Sequence, residues 1–519
     1  MGTVFSSAQT PISTKLTDAA AGALDRAVAY AIGEAKDGSC WVQPSEPRIL
    51  ETAVVASAVA RDLGPCRPVE RARRWIADAD PQDHDPLVHA ADLWLRDAAL
   101  NTAAPDATEL IGRGGSGVHG RRALYLQAVA TAVGAAGSEP ANLLAKARAG
   151  LGSDDGQSLK PWQRTVLHAA VLIASRALGD APLPSDLSAL HRAQLPDGSF
   201  HHMPMITGLA YHALISAAPY GTATARCRDR VLADQHPDGT WRFLTSDIWD
   251  TALMVRCLRG HKAFDTTVLA GALGHLERSQ NRDGGWGCAQ GFASDNDSVG
   301  STLLALAETG HGLRTWPGAA RYARQQQTPE GWWTTWLSSD DMPAQDVAAH
   351  MICGILAHRR TPAEVMTDAA QRWLRAEYKS HGGWRADWYI PEAYAVAEIG
   401  PAVGWDTAES RGALRALLRA QHADGGWPGL PGAVDSSPAA TGLAVTALMA
   451  GDVPAESALE RATRFLIDTQ DYAGTWVDAP IMFGPRPFLT PTGVQVHALA
   501  ARGLRDLLGR TRRFRTGTQ

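Results

Sequence analysis

Apolar residues recur along this chain at helical spacing. In Val299–Gly310 (VGSTLLALAETG), Ala440–Gly451 (ATGLAVTALMAG) and Gly493–Leu504 (GVQVHALAARGL) they fall at i, i+3, i+4 and i+7 and are rich in Ala and Leu, which predicts helices. A more polar helical stretch such as Ala458–Gln470 (ALERATRFLIDTQ) precedes each of a series of glycine turns. Period-two strand patterns are scarce, so the expected fold class is all-α.

The turns repeat. Gln194-Leu-Pro-Asp-Gly-Ser-Phe200, Gln235-His-Pro-Asp-Gly-Thr-Trp241, Gln280-Asn-Arg-Asp-Gly-Gly-Trp286, Gln421-His-Ala-Asp-Gly-Gly-Trp427 and Gln470-Asp-Tyr-Ala-Gly-Thr-Trp476 share one frame. Variants stand at Gln327–Trp333, His381–Trp384 and Asp37–Trp41. The aromatics recur roughly every 45 residues, the mark of stacked supersecondary units. Each unit reads as helix, turn, helix, and helix hairpins repeated this way close into α/α barrels. Glycine permits the bend. The indole can stack on the preceding helix end and donate to a carbonyl, and the glutamine can bond free backbone groups of a neighbouring helix. These residues are therefore expected to be staples.

Composition fits this pattern. Among 519 residues there are 17 Trp against 9 Tyr and 9 Phe, with 50 Gly, the excess that a glycine–tryptophan repeat produces. At 45% hydrophobic and 20% charged, the chain can bury a large core, and its length suggests two domains. A net charge of −5 and the lack of a basic stretch beyond Arg510–Arg515 argue against a nucleic-acid partner. No run approaches ~18 uninterrupted apolar residues, so no transmembrane segment is expected. The N-terminus lacks a basic and then apolar signal pattern. Six scattered cysteines suit a reducing, cytoplasmic setting.

The repeat resembles the QW repeat of terpene cyclases, the squalene–hopene and diterpene class, over roughly Gln194–Arg502. Further segments carry the likeness. Pro196–Phe200 followed by Pro204-Met-Ile-Thr-Gly-Leu-Ala210 resembles a stretch of class II diterpene cyclases. Ser246-Asp-Ile-Trp-Asp-Thr-Ala-Leu253, Trp384–Tyr394 and Phe488–Val494 resemble three others. The resemblance implies two α/α-barrel domains: a β domain made of residues 1–35 and 246–519, and an inserted γ domain over 36–245.

It also implies chemistry. Class II cyclases protonate an alkene or epoxide, which requires a strong acid that is still protonated near neutrality. A carboxyl group crowded by another carboxylate in an apolar cavity meets that need. The matching motif is Asp295-Asn-Asp297-Ser298, with Asp297 as donor and Asp295 flanking it; Ser298 stands where the family's DxDD has its last Asp. Local sequence equally fits a helix N-cap, with Asp297 or Ser298 accepting from free N–H groups. His350, in Pro343-Ala-Gln-Asp-Val-Ala-Ala-His350, matches the histidine that faces the donor, and a neutral imidazole or a water link to Asp297 is expected. Trp249, Phe292, Trp336, Trp388, Tyr389 and Tyr394 are the candidates to steer carbocations through their ring faces. Each could equally be core.

The implied substrate is a small isoprenoid: farnesyl or geranylgeranyl diphosphate, cyclised to a drimane- or labdane-type product with the diphosphate kept. A squalene-type or meroterpenoid polyprene, or binding without catalysis, is the alternative. Arg486 is the candidate for the diphosphate, with Mg²⁺ as cofactor, although its ligands are not evident. Asp78–Asp83 and Ser153-Asp-Asp are weak candidates, and Arg113–Arg122 is a Gly-rich basic loop. A class I DDxxD motif is absent, and no cysteine follows Asp295 or Asp297 by two residues, as prenyltransferase zinc would need. A monomer or homodimer is expected.

Overall fold

The structure is a computed structural model and describes residues 13–101, 103–113, 117–152, 159–307, 309–337, 344–359, 363–484 and 486–516. Helix α1 (Thr14–Glu34) comes first. It is followed by α2 (Ile49–Leu63), α3 (Arg67–Asp78), α4 (Pro86–Leu100), α5 (Thr108–Gly112), α6 (Gly117–Ala132), α7 (Pro140–Gly152), α8 (Pro161–Ala177), α9 (Pro184–Ala193), α10 (Pro204–Ala217) and α11 (Thr222–Ala233). Then come α12 (Asp247–Leu258), α13 (Lys262–Thr267), α14 (Leu269–Arg278), α15 (Asn296–Leu306), α16 (Gly310–Gln325), α17 (Gln345–Ala357) and α18 (Ala363–His381). The last are α19 (Glu392–Val403), α20 (Ala408–Arg419), α21 (Pro438–Ala450), α22 (Glu456–Asp468) and α23 (Gly493–Thr516). The strands among the described residues are short antiparallel pairs, Trp427–Pro428 with Ser436–Ser437 and Met482–Phe483 with Leu489–Thr490.

Two hydrophobic clusters divide these helices. The first joins α1 and Trp41 to α12–α23. Its inner ring runs α12, α15, α17, α19, α21, α23, and α23 closes back on α12. Helices α14, α16, α18, α20 and α22 pack outside, and α1 leans on α22 and α23. The second cluster joins α2–α11. There α2, α4, α6, α8 and α10 form a ring, with α5 bridging α4 to α6 and α10 closing on α2. The chain leaves the first cluster after Trp41, re-enters it at Ile248, and spends the interval in the second. Both bodies are α/α barrels, the all-α architecture that the helical pattern predicts.

The repeats build the rings through one device. The Nε1–H of Trp41, Trp241, Trp286, Trp333, Trp384, Trp427 and Trp476 donates to the carbonyl ten residues upstream, at 2.7–2.9 Å. In all but Trp384, whose acceptor Leu374 lies further back in α18, this bond occupies an orphan carbonyl in the last turn of the preceding helix. Each glutamine amide donates twice. Gln421 Nε2, for example, reaches its own turn at Gly425 O and the next outer helix at Ala458 O, both at 2.9 Å. Gly425 has φ +97°, and a Cβ there would lie 2.6 Å from Arg461 O on α22. Gly239, φ +93°, meets Arg71 of α3 in the same way, at 2.7 Å. The glycine is thus required twice, by backbone angle and by the closeness of the neighbouring helix.

The bodies meet where Met482–Thr490 leaves the first and enters the second. Phe488 is buried in the second cluster. Gln82 grips Leu489 through both backbone groups at 3.0 Å. Arg48, paired with Glu51, donates to the Gly484 and Leu489 carbonyls and the Thr490 hydroxyl. Among the described residues no helix is long and apolar enough to cross a membrane.

Candidate active site

The Asp295–Ser298 motif opens inner helix α15, and its residues take different tasks. Asp295 is the N-cap: its Oδ1 accepts from Ser298 N at 2.7 Å and its Oδ2 from Ser298 Oγ at 2.9 Å. The serine that interrupts the acidic motif therefore donates to the flanking carboxylate instead of repelling it. The capping task, which the sequence offered to Asp297 or Ser298, falls to Asp295 and leaves Asp297 to project from the first turn. Burial raises the Asp295 carboxyl to about 7, helped by the nearby charge of Asp297 and opposed by the Ser298 hydrogen bonds.

Asp297 is nearly buried and meets His350 on α17, with Oδ1 2.6 Å from Nδ1. The contact is direct, so the expected water link is absent. The imidazole has a second carboxylate on its far side: Nε2 lies 2.9 Å from Glu398 Oε2 on α19. Burial alone would depress the imidazole, but the Asp297 charge and hydrogen bond, together with those of Glu398, push it up to about 9. Against the expected neutral imidazole or water link, the structure puts a carboxyl group directly on each ring nitrogen of His350, an arrangement that favours its protonated form. Glu398 is itself held by Arg256 of α12 and Arg502 of α23. Burial works against its ionisation, but the two guanidinium groups and His350 outweigh it and keep the carboxyl well below the usual range. Arg256 Nη1 also donates to Ser301 Oγ on α15 at 3.1 Å. Five inner helices, α12, α15, α17, α19 and α23, are thereby tied by charge.

Rings surround this group. Trp249 lies 5.8 Å from His350 between centroids, and Tyr394 meets His350 edge-on at 6.3 Å. Tyr389 and Tyr394 stack at 4.0 Å. Their polar ends point away from the faces: Trp249 Nε1 donates to Tyr389 Oη at 2.9 Å, Tyr389 Oη to Gln495 Oε1 at 2.6 Å, and Gln495 Nε2 to Asp250 Oδ1 at 2.9 Å. Asp250 and Asp346 are both buried, and burial raises each carboxyl to about 7. A second row reaches outward. Trp388 donates to Thr335 Oγ1 at 3.0 Å, and the Thr335 carbonyl accepts from Asn296 N at the mouth of α15. Trp388 meets Trp336 edge-on at 6.0 Å, and Trp336 meets Trp162 of the second body at 6.1 Å.

Other expected residues lie elsewhere. Phe292 stacks on His202 of the second body at 6.0 Å, so its ring partner comes from the junction. Arg486 is tied to Asp387, through its carbonyl and its carboxylate, and lies 4.6 Å over the Phe483 ring. Arg113–Arg122 is not the expected loop throughout: from Gly117 on it is helix α6, and Arg122 on that helix donates to the Arg486 carbonyl at 3.0 Å, while 114–116 lie outside the described residues. Burial and Arg121 lower the Arg122 guanidinium to about 10. Ser153-Asp-Asp is also outside the described residues. Among the described residues no three His, Cys, Asp or Glu gather as a metal cage.

Sequence reasoning missed Glu398, Arg256 and Arg502. Each is a lone Arg or Glu in an otherwise weakly polar inner-helix stretch (AYAVAEIG, TALMVRCL, VHALAARGL), and that signal could have found them.

Comparison with known proteins places these observations. The squalene-hopene cyclase C-terminal domain family matches residues 336–489. A drimenyl diphosphate synthase from Streptantibioticus cattleyicolor is 29% identical over 336 residues, covering 59% of this chain and 62% of the relative. A drimenyl diphosphate synthase from Streptomyces showdoensis is 28% identical, covering 57% of this chain and 49% of the relative. The chain thus spans less than two thirds of either relative's length. Among solved structures, ent-copalyl diphosphate synthase from Streptomyces platensis has a TM-score of 0.57 at 19% identity, covering 96% of this chain and all of that one.

Proposed function

We propose that the chain is a class II terpene cyclase that cyclises a linear prenyl diphosphate, farnesyl or geranylgeranyl, to a drimane- or labdane-type product with the diphosphate retained. The observation that carries the reading is a buried carboxyl, Asp297, hydrogen-bonded on one oxygen to His350 and ringed by aromatic faces.

In this reading the alkene π electrons take the proton of Asp297, leaving a carboxylate and a tertiary carbocation. The next double bond attacks that cation and forms the ring bond. Trp249, Tyr389 and Tyr394 stabilise successive cations through their ring quadrupoles without bonding to them. Loss of a proton from carbon restores an alkene, so the product is an isomer of the substrate, and no carbon–oxygen bond to the diphosphate breaks. The proton released from carbon passes to solvent, and solvent returns one proton to the Asp297 carboxylate. The junction cations Arg122 and Arg486 are where the diphosphate would lie. Magnesium would enter as the counter-ion of that diphosphate, keeping several of its waters, and no step here depends on it.

The division into a site-bearing body and an inserted one, a cytoplasmic location and a monomer or homodimer belong to the same proposal. The test is incubation with C15 and C20 prenyl diphosphates and with squalene, with Mg²⁺ or EDTA, followed by product analysis with and without phosphatase. Cyclic products that appear only after phosphatase support the reading. Cyclisation of squalene alone would replace it with the polyprene alternative.

A further inference from the structure

The charge chain behind His350 has no counterpart in the expected chemistry. Both oxygens of Glu398 are engaged by guanidinium groups, Oε2 by Arg256 and Oε1 by Arg502. The carboxylate therefore stays an anion and can only accept. At 2.9 Å from Glu398 Oε2, His350 Nε2 must carry a hydrogen. Nδ1 then has two possible states. Without a proton, it would accept from a hydrogen on Asp297 Oδ1, and the acid's proton would point at histidine. With a proton, it donates to Oδ1, and a proton loaded on Asp297 has only Oδ2 to occupy.

We propose that Glu398, braced by Arg256 and Arg502, is a positioning residue for the acid: it holds His350 as an imidazolium that covers Asp297 Oδ1 and confines the transferable proton to Oδ2. This rests on Asp297 being the acid. The other ionisable groups around the pair are Asp295 of α15, Asp346 and Cys353 of α17, Asp387, and the phenols of Tyr389 and Tyr394, and burial favours the neutral form of every one. Glu398 is thus the permanent anion on the far side of the ring. A buried group of this kind is costly unless fully paired, and here both of its oxygens are paired.

The test is nitrogen NMR of uniformly ¹⁵N-labelled chain, with the His350 signals assigned from a His350→Gln sample, beside the pH–rate profile for farnesyl diphosphate. In the unaltered chain His350 should read as an imidazolium at about pH 7.5 and lose its proton near pH 9. In Glu398→Gln that midpoint should fall by more than about one unit. The same substitution should lower kcat by about tenfold or more, with KM within about twofold, and Glu398→Asp should restore most of the rate. A neutral His350 in the unaltered chain overturns the proposal and needs no variant, so a Glu398→Gln chain that does not fold leaves it decidable. An unshifted midpoint and profile in folded Glu398→Gln also overturn it. If the unaltered chain cyclises no prenyl substrate, the functional reading fails instead, and the nitrogen shifts still decide the brace.

Discussion

The two bodies share one building device and differ in what their rings enclose. Both stack helix hairpins on Gln–Gly–Trp turns, with the same indole bond at 2.7 Å in Trp241 and in Trp427. Inside the first ring sit Asp297, His350, Glu398, Arg256 and Arg502, one charge from each of five inner helices. The second body instead places a buried ion pair at the seam, where Arg48–Glu51 faces the Met482–Phe483 and Leu489–Thr490 strands. Two of its inner helices pack closely. A Cβ on Gly208 of α10 would lie 3.0 Å from Val55 of α2. The difference separates scaffold from site: the turns specify a ring, and the chemistry depends on what its inner faces carry.

The sharpest test of that separation is Asp297→Asn. Turnover should fall by about three orders of magnitude or more, with the melting temperature changed little because the amide fills the same space. Retained cyclisation would remove Asp297 as the acid and leave the two rings alike. Next in size are the shared staples. Trp286→Ala in the first body and Trp241→Ala in the second should each cost about 3–5 kcal/mol in chemical denaturation, since both indoles are buried and bonded. Equal losses support a common scaffold, whereas a neutral Trp241→Ala would show that the second ring is held differently.

The third prediction concerns pH. Burial raises the Asp250 carboxyl to about 7, so the folded chain binds that proton more tightly than the unfolded one. The stability it contributes is complete below about pH 4 and is lost as pH rises through about 7. Asp250→Asn should flatten this slope, removing a pH-dependent loss of about 4 kcal/mol between about pH 4 and 7, read from melts across that range. In the second body Asp92, raised to about 6 by burial, has the same sign over a narrower window, so Asp92→Asn should flatten less. The smallest effect is expected at Trp162, whose ring brings the second body into the outer aromatic row. Trp162→Ala should raise KM for farnesyl diphosphate by about three- to tenfold with kcat nearly unchanged. A collapse of kcat instead would make the second ring part of the catalytic centre.

The rings were legible in the chain because each staple is local: Gln, Gly and Trp lie within seven residues, and the repeat announces itself. Asp297 and His350 were legible through segments resembling a known family. Glu398, Arg256 and Arg502 were not, because their meaning lies in contacts between helices about a hundred or more positions apart. Alone, a glutamate in AYAVAEIG looks like a solvent-facing helical residue. Its partners appear only once α12, α19 and α23 face one centre. The second carboxylate on His350 was invisible to the sequence for the same reason.

The path by which the chain enters and leaves the second ring has a further consequence. Pro44 and Thr245 pair as neighbouring bridge residues, and Ser45 N donates to Leu244 O at 3.1 Å. Entry and exit share one doorway, so a short splice across it would leave the first ring topologically whole. Chemically it would not be whole: Phe488 would lose its cavity, and Leu489 the amide that grips it on both sides. The insertion behaves as a graft that has rooted: removable on a diagram, yet held in the molecule by a hairpin from the host.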